Sequence, residues 1–323
     1  MTENIELTIS EPGERLDKLV TALLAEYPGS PSRVRIQQLI KEGGVTVDGK
    51  ISKPAYRVEN GDQLVIVPPE PPPAEPPVLA EKMALDVLYE DDQMAAVNKP
   101  AGMVVHPSLG HSSGTLVNAV LGRWPQTAEV GELGRAGIVH RLDKDTSGVI
   151  LIAKTESARR KLLAQFKARK IEKRYLALVH GVPATPTGEI DAPIGRDPRQ
   201  RNKMAIVRGG RESMTRYNVL QKFDDLTYLE LFPKTGRTHQ LRVHLSFIKH
   251  PVAGDSVYGF RKDGRKSSLR GRLHLMRHFL HAESLTLIAP ATGESVTIHA
   301  PLPPDLQAVL DILSEAPDII ESM

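Results

Sequence analysis

Between Arg15 and Tyr27, the apolar residues Leu16, Leu19, Val20, Leu23 and Leu24 recur at helical spacing, which predicts a helix with one buried face. Ser32 is placed to cap a second helix through Ile36, Leu39 and Ile40 that stops at Gly43-Gly44. The run VTVDGKIS, from Val45 to Ser52, then gives a strand, an Asp48-Gly49 turn and a second strand. Gly61-Asp62 turns the chain into a further strand over 64–67. Two helices and a hairpin in so few residues make a small module of modest stability.

Residues 68–77 read PPEPPPAEPP, a run that excludes helix and paired strand. A stiff extended linker is therefore expected over 68–81, between a small unit at 13–67 and a large unit at 82–323. In the large unit the pattern predicts strands at 95–98, 149–153, 174–179, 215–220, 227–232, 284–288 and 295–298. It predicts helices at 157–168, 238–247 and 305–314. Strands in succession, without regular alternation with helices, predict an α+β fold with a mixed, largely antiparallel sheet.

Composition narrows the chemistry. The 323 residues include no cysteine, which excludes disulfide scaffolds, thiol nucleophiles and thiolate metal sites. No apolar run approaches the ~18 residues of a membrane span, and the first ten residues carry no secretory signal pattern. The expected address is the cytoplasm, and a monomer is the default state. The 42 Lys+Arg and 39 Asp+Glu leave a net charge of +3. That near-neutral total hides a strong asymmetry: residues 154–216 carry +10 and residues 234–278 carry +9, against −7 in each of 1–100 and 279–323. Such clustering is the footprint of a polyanionic partner such as RNA.

Three segments stand out. In HRLDKDTSG, 140–148, the charged residues Arg141, Asp143, Lys144 and Asp145 directly precede the apolar strand VILIA. Loop groups at the edge of a rigid strand are suited to catalysis, with Asp143 as nucleophile or base among cations. The alternative is a charged turn capped by Asp145 or Thr146. In FPKTGRTHQLRVHL, 232–245, Arg237, His239, Arg242 and His244 crowd together, which favours an anion such as phosphate. Its KTG order is shared with serine β-lactamases, but no S-x-x-K or S-D-N accompanies it. In KIEKRYLALVHG, 170–181, Tyr175 lies among aliphatic residues beside Lys173 and Arg174, an arrangement suited either to base stacking or to core packing. His274, His278 and His281 lack an acidic neighbour and do not form H-E-x-x-H, so a metal is not expected. No G-x-G-x-x-G or Walker A sequence is present.

Together these segments resemble the RluA-type pseudouridine synthases, closest to the RluD-like subgroup. HRLDKDTSG is similar to the family's catalytic-aspartate motif, KRYLALVHG to its tyrosine motif and TGRTHQLRVH to its arginine motif. NKPAGMVVHP, DAPIGRDPRQRNKMAI and FLHAESLTL also resemble the family. The small unit, with RLDKLV, SRVRIQQLIKEGGVTVDGK and GDQLVIV, resembles the S4-like RNA-binding domain.

The resemblance implies isomerisation of uridine to pseudouridine in RNA, most simply large-subunit ribosomal RNA, with no cofactor and no metal. It implies Asp143 as the essential carboxylate, as nucleophile or base, Arg237 as its ion-pair partner, and Tyr175 stacked on the target base and assisting a late proton transfer. Arg141 would fill the gap left by the flipped uridine, and Leu241 would pack near the site floor. Arg33 and Arg35 of the small unit and Lys173 of the large one would contact phosphates. The competing readings are a non-catalytic RNA-binding or ribosome-assembly protein, a synthase acting on transfer RNA, and a hydrolase pairing Asp143 with His140.

Overall fold

The computed structural model describes residues 4–27, 31–69, 78–108, 110–259, 273 and 275–315. Its contacts divide the chain into two units, 1–77 and 78–323. Residues 70–77, most of the expected linker, lie outside the described residues, as do His274 and the basic run 260–272.

The small unit contains β1 (Ile5–Thr8), α1 (Leu16–Leu23), α2 (Arg33–Lys41), β2 (Val45–Val47), β3 (Lys50–Ile51) and β4 (Gln63–Ile66). Its antiparallel sheet has the order β1-β4-β2-β3. Leu16, Val20 and Leu24 of the first helical segment and Ile36, Leu39 and Ile40 of α2 bury against Val45, Val47, Leu64 and Ile66. These belong to the face that the spacing predicts, though Leu19 is only partly buried and Leu23 is exposed. Ser32 Oγ caps α2 by accepting from Arg35 N at 3.4 Å. Strand β1 extends the unit N-terminally of residue 13: Ile5, Leu7 and Ile9 alternate there, too short a pattern to read.

The large unit contains β5 (Asp86–Glu90), β6 (Met94–Lys99), α3 (Leu116–Arg123), β7 (Ser147–Ala153), α4 (Glu156–Lys167), β8 (Glu172–His180) and β9 (Thr187–Asp191). It continues with β10 (Ile194–Arg196), β11 (Met204–Ile206), β12 (Met214–Phe223), β13 (Leu226–Pro233), α5 (Gln240–Phe247), β14 (Leu280–Ile288), β15 (Ser295–His299) and α6 (Pro304–Glu315). The unit begins before residue 82, because Asn118 Nδ2 donates to Leu79 O at 2.8 Å and Glu81 N to Asn118 O at 2.9 Å.

Its main sheet runs β5-β6-β7-β14-β8-β13-β12-β9, with β15 added on β14. The fold is α+β, and among the described strands all pairs in this sheet are antiparallel except β7 with β14. Every residue of β7 is buried. Val149 and Leu151 face a core that includes Ala158 and Leu162 of α4, while Ile150 and Ile152 face one that includes Leu116, Val117 and Val120 of α3. Covering on both faces explains why β7 reads as a continuous apolar run. A third core joins β8 and β13 to Leu241 and Leu245 of α5 and Leu306 and Val309 of α6.

The parallel contact His281↔Ser147 and Ala282↔Gly148 sits at the start of β7, where the charged loop ends. Gly148 has φ +117°, and a Cβ there would lie 2.1 Å from Ala282 O. Glycine is therefore required for the close approach of the two backbones.

Candidate active site

The loop before β7 is strapped from several elements. Lys99, at the end of β6, is completely buried, and its ammonium donates to Pro100 O (2.8 Å), Met103 O (2.9 Å) and Lys144 O (3.0 Å). Gly102 N also donates to Lys144 O, at 2.9 Å. Arg277 Nη1 donates to Asp145 O at 3.0 Å. Thr146 Oγ1 lies 2.8 Å from His278 Nε2, and Ser147 Oγ lies 2.9 Å from His281 Nδ1. His278 and His281 thus hold the loop, and among the described residues no group of three metal-ligating side chains forms. These contacts leave the Asp143 carboxylate 20% exposed at the surface of a rigid loop.

Asp143 Oδ2 accepts from Arg242 Nη1 at 3.0 Å. The guanidinium of Arg242, on the first turns of α5, is only 6% exposed. Its Nε and Nη2 donate to the two oxygens of Asp255 at 2.7 and 3.0 Å. Asp255 in turn accepts from Val257 N (2.8 Å) and Tyr258 N (3.0 Å). Arg242 also lies over the Tyr258 ring, 5.1 Å from its centroid. Burial works against the charge of Arg242, yet its bonds to Asp255 and then Asp143 hold its pKa above the usual arginine value. One guanidinium thereby connects a buried carboxylate to an accessible one and fixes the latter in place.

The expected pair between Arg237 and Asp143 is not formed. Arg237 lies in the turn before α5, where its Nε donates to Glu212 O at 3.1 Å. The chain reverses at His239 (φ +55°) before the helix begins, which puts Arg242 rather than Arg237 toward the aspartate loop. That reversal also delays α5 to residue 240, two residues after its expected start at 238.

Tyr175 lies in β8 between β13 and β14, opposite Leu231 and Ala282. Half-buried, it packs on the core that contains Leu241. Burial, and then the charge of Asp143, raise its phenol pKa well above the usual tyrosine value, so at neutral pH it is a protonated, stackable ring. Leu241 is 6% exposed and part of that core. Arg141 is exposed, with no ion pair among the described residues.

Lys173, two residues before Tyr175, is half-buried and donates to Thr235 O at 2.9 Å. Burial, with Arg237, Lys234 and Arg169 nearby, lowers its pKa to about 8. Arg211 adds to the same cluster beside Arg237. In the small unit, Asp17 is wholly buried and accepts from Arg15, Arg33 and Gln37 at 2.7–3.2 Å, while the two guanidinium groups stay 38% and 45% exposed. Arg35 is exposed, 3.6 Å from Glu42.

His140 does not reach Asp143 as a hydrolytic partner. Its Nε2 accepts from Leu151 N at 2.9 Å, its ring packs 5.0 Å from Phe166, and burial pushes its pKa down to about 3. Arg242 and His239 were legible as members of a basic cluster, but their partners were not. Asp255 is the lone acid between residues 234 and 259, and that isolation within a basic stretch is the signal that points to it.

Comparison with known proteins places this geometry. Residues 93–247 match the family model described as RNA pseudouridylate synthase, and residues 14–64 match the S4 domain. A Bacillus subtilis protein described as an uncharacterized RNA pseudouridine synthase is 42% identical, covering 96% of this chain and 98% of its own length. The ribosomal large subunit pseudouridine synthase D of Pseudomonas aeruginosa is 43% identical over 94% of this chain and 93% of its own. Among solved structures, human RNA pseudouridylate synthase domain containing 4 superposes with a TM-score of 0.57 at 28% identity, covering 71% of this chain and 93% of that one. No helix among the described residues is long and apolar enough to cross a membrane. With an accessible aspartate and a buried arginine beside a tyrosine on the central strands of this sheet, and with relatives that match along nearly its whole length, the chain belongs to the RNA pseudouridine synthases, isomerases that act on RNA.

Proposed function

We propose that this enzyme isomerises specific uridines of large-subunit ribosomal RNA, in the cytoplasm and as a monomer, with Asp143 as the essential carboxylate. The observation that carries the reading is the carboxylate–guanidinium–carboxylate chain from Asp143 through Arg242 to Asp255. Arg242 holds Oδ2, which leaves Oδ1 to act on the ribose as nucleophile or base. Tyr175 supplies a stacking surface for the flipped uracil. Arg141, exposed beside Asp143, fills the gap in the RNA. Arg237 belongs with Lys173 among the phosphate-facing cations, and Arg15, Arg33 and Arg35 bind RNA from the small unit. Isomerisation has no net redox change, so the proposal includes no cofactor and no metal. The choice of ribosomal RNA rests on relatives named as large-subunit synthases.

The test is to incubate the purified chain with large-subunit ribosomal RNA from cells lacking it, and to map pseudouridine with a selective chemical label. Site-specific product that Asp143→Asn abolishes, with RNA binding retained, is the expected result. Product only in transfer RNA would overturn the substrate assignment. Binding without product would favour the non-catalytic reading.

A further inference from the structure

His239 holds a left-handed backbone conformation, φ +55° and ψ 22°, where the chain enters α5. A non-glycine residue keeps such a conformation only where its surroundings over-determine it, and these positions concentrate at functional sites. Here Gln240 Oε1 accepts from Arg237 N at 3.0 Å and from Thr235 Oγ1 at 2.7 Å. Its Nε2 donates to Met214 O at 3.0 Å, so the turn is pinned to β12. The imidazole meets Tyr258 edge-on, with centroids 5.5 Å apart, and its side chain is 25% exposed.

The surroundings of the imidazole favour the hydrogen on Nε2. Tyr258 Oη accepts from Met204 N at 3.0 Å and lies 2.7 Å from His239 Nδ1. Met204 N takes one lone pair of the phenolic oxygen and leaves its hydrogen available to Nδ1, while the carboxylate oxygen facing Nε2 favours a hydrogen there. The hydrogen of the neutral imidazole then sits on Nε2. Nε2 lies 4.0 Å from Asp143 Oδ1, the oxygen that Arg242 does not hold. Burial lowers the His239 pKa, against a smaller opposing pull from Asp143, which favours the uncharged ring. A fixed, uncharged, partly open N–H donor therefore stands beside the free oxygen of the essential carboxylate.

Breaking the bond between ribose and uracil nitrogen leaves its electron pair on the uracil ring, whose oxygens gain negative charge. A preorganised donor stabilises such charge where it develops. We propose that His239 is a catalytic residue: its Nε2–H donates a hydrogen bond to the uracil ring as that ring takes up the electron pair. The proton remains on Nε2 throughout; on the ribose, C1′ gains a bond to Asp143 Oδ1 where the carboxylate is the nucleophile, or the carboxylate takes the C2′ proton to leave a C1′–C2′ double bond where it is the base. The proposal rests on the isomerase reading, with Asp143 acting on the ribose.

The experiment measures single-turnover loss of the target nucleotide in an RNA that the wild-type enzyme modifies. It uses full-length His239→Ala, His239→Gln and Tyr258→Phe, with uridine or 5-fluorouridine at the target. Removal of one such donor slows an enzyme by ~100-fold, and that is the loss expected for His239→Ala on uridine. Gln, which can place an N–H near the Nε2 position, should recover about ten-fold of it. On 5-fluorouridine, whose ring bears negative charge more easily, the loss should shrink to roughly ten-fold. Tyr258→Phe should slow the reaction less than His239→Ala and shift the histidine 15N signals away from the Nε2–H tautomer. RNA affinity, measured in the Asp143→Asn background, should change by no more than about two-fold. A wild-type rate for His239→Ala overturns the proposal. So does an equal loss on both substrates with Gln no better than Ala, which would mark a purely structural residue. If the wild-type enzyme forms no pseudouridine in any RNA, the underlying reading fails as well.

Discussion

Arg242 reaches Asp143 Oδ2 with Nη1 at 3.0 Å while its other edge is occupied by both oxygens of Asp255. The guanidinium is therefore not free to follow solvent or substrate. It fixes Asp143 with one bond and is itself fixed by two.

This distinguishes the two candidate arginines. Arg242→Met should lower the single-turnover rate of pseudouridine formation by about 100- to 1,000-fold, as expected when a preorganised charged contact is removed. It should leave RNA affinity nearly intact. Arg237→Met, whose side chain meets Glu212 O rather than Asp143, should weaken binding and change the bound rate little. Selective labelling of product after single turnover, beside filter binding of the Asp143→Asn forms, checks both. An inactive Arg237→Met beside an active Arg242→Met would reverse the assignment.

The difference between these arginines also marks where sequence reading stops. The motif around residues 235–244 places both arginines in one basic cluster but contains no acid to decide between them. The partner that settles Arg242 is Asp255, thirteen residues onward. Likewise Lys99 reads as one more charge after a strand until β7 and its loop cover it. Regular elements with a strong period, such as β7 and α4, were legible because burial on a sheet or helix face is written in local spacing. Short pieces such as β1 and β9 were not, because their pairing comes from distant chain, and β10 and β11, which pair with each other, are three residues each and too short to show a period.

The cations around Tyr175 should govern the salt dependence of binding. Arg237, Lys234 and Arg169 stand close enough to Lys173, and Arg211 and Arg169 to Arg237, to help lower the pKa values of those two groups, and Glu212 is the acid that faces them, paired with Arg169 at 3.0 Å. Each phosphate contact contributes ~0.7–0.9 to the slope of log affinity against log salt. Neutralising Lys234 and Arg211 to Gln should reduce that slope by about 1–2 while leaving the thermal midpoint of the enzyme in place. An unchanged slope would show that RNA passes elsewhere.

In the small unit, Asp17 organises the two arginines that flank it. The hydrogen bonds from Arg15, opposed by burial and joined by those from Gln37 and Arg33, hold its pKa far below the usual aspartate value. A depressed carboxylate stabilises the fold above its unfolded pKa of about 3.9, and that contribution fades as pH falls toward the folded value. Asp17→Asn should therefore destabilise the unit by about 1–3 kcal/mol at pH 7 and flatten its stability between about pH 4 and pH 2. Hydrogen exchange of the α1 and α2 amides in the full chain measures this. Equal acid sensitivity in both proteins would remove Asp17 from that role.

Lys99 makes the corresponding test in the large unit. Its ammonium meets three backbone carbonyls, one of them Lys144 O in the aspartate loop. Burial pushes its pKa down to about 7, partly offset by Asp145 and Asp143. The unfolded chain, with an ordinary lysine near 10.4, binds this proton more tightly than the folded one, so this group makes stability rise with pH between about 7 and 10. Lys99→Met keeps the length of the side chain but removes the ammonium donor from three carbonyls, of which Lys144 O keeps Gly102 N. The expected effect is a loss of about 2–4 kcal/mol and a fall in melting temperature of roughly 4–16 °C. The variant should also lose the rise in stability from pH 7 to pH 10 expected of the wild type. Calorimetry across that range decides the matter: a variant as stable as wild type would mean that the carbonyls find other donors, and that Arg277, His278 and His281 suffice to hold the loop that carries Asp143.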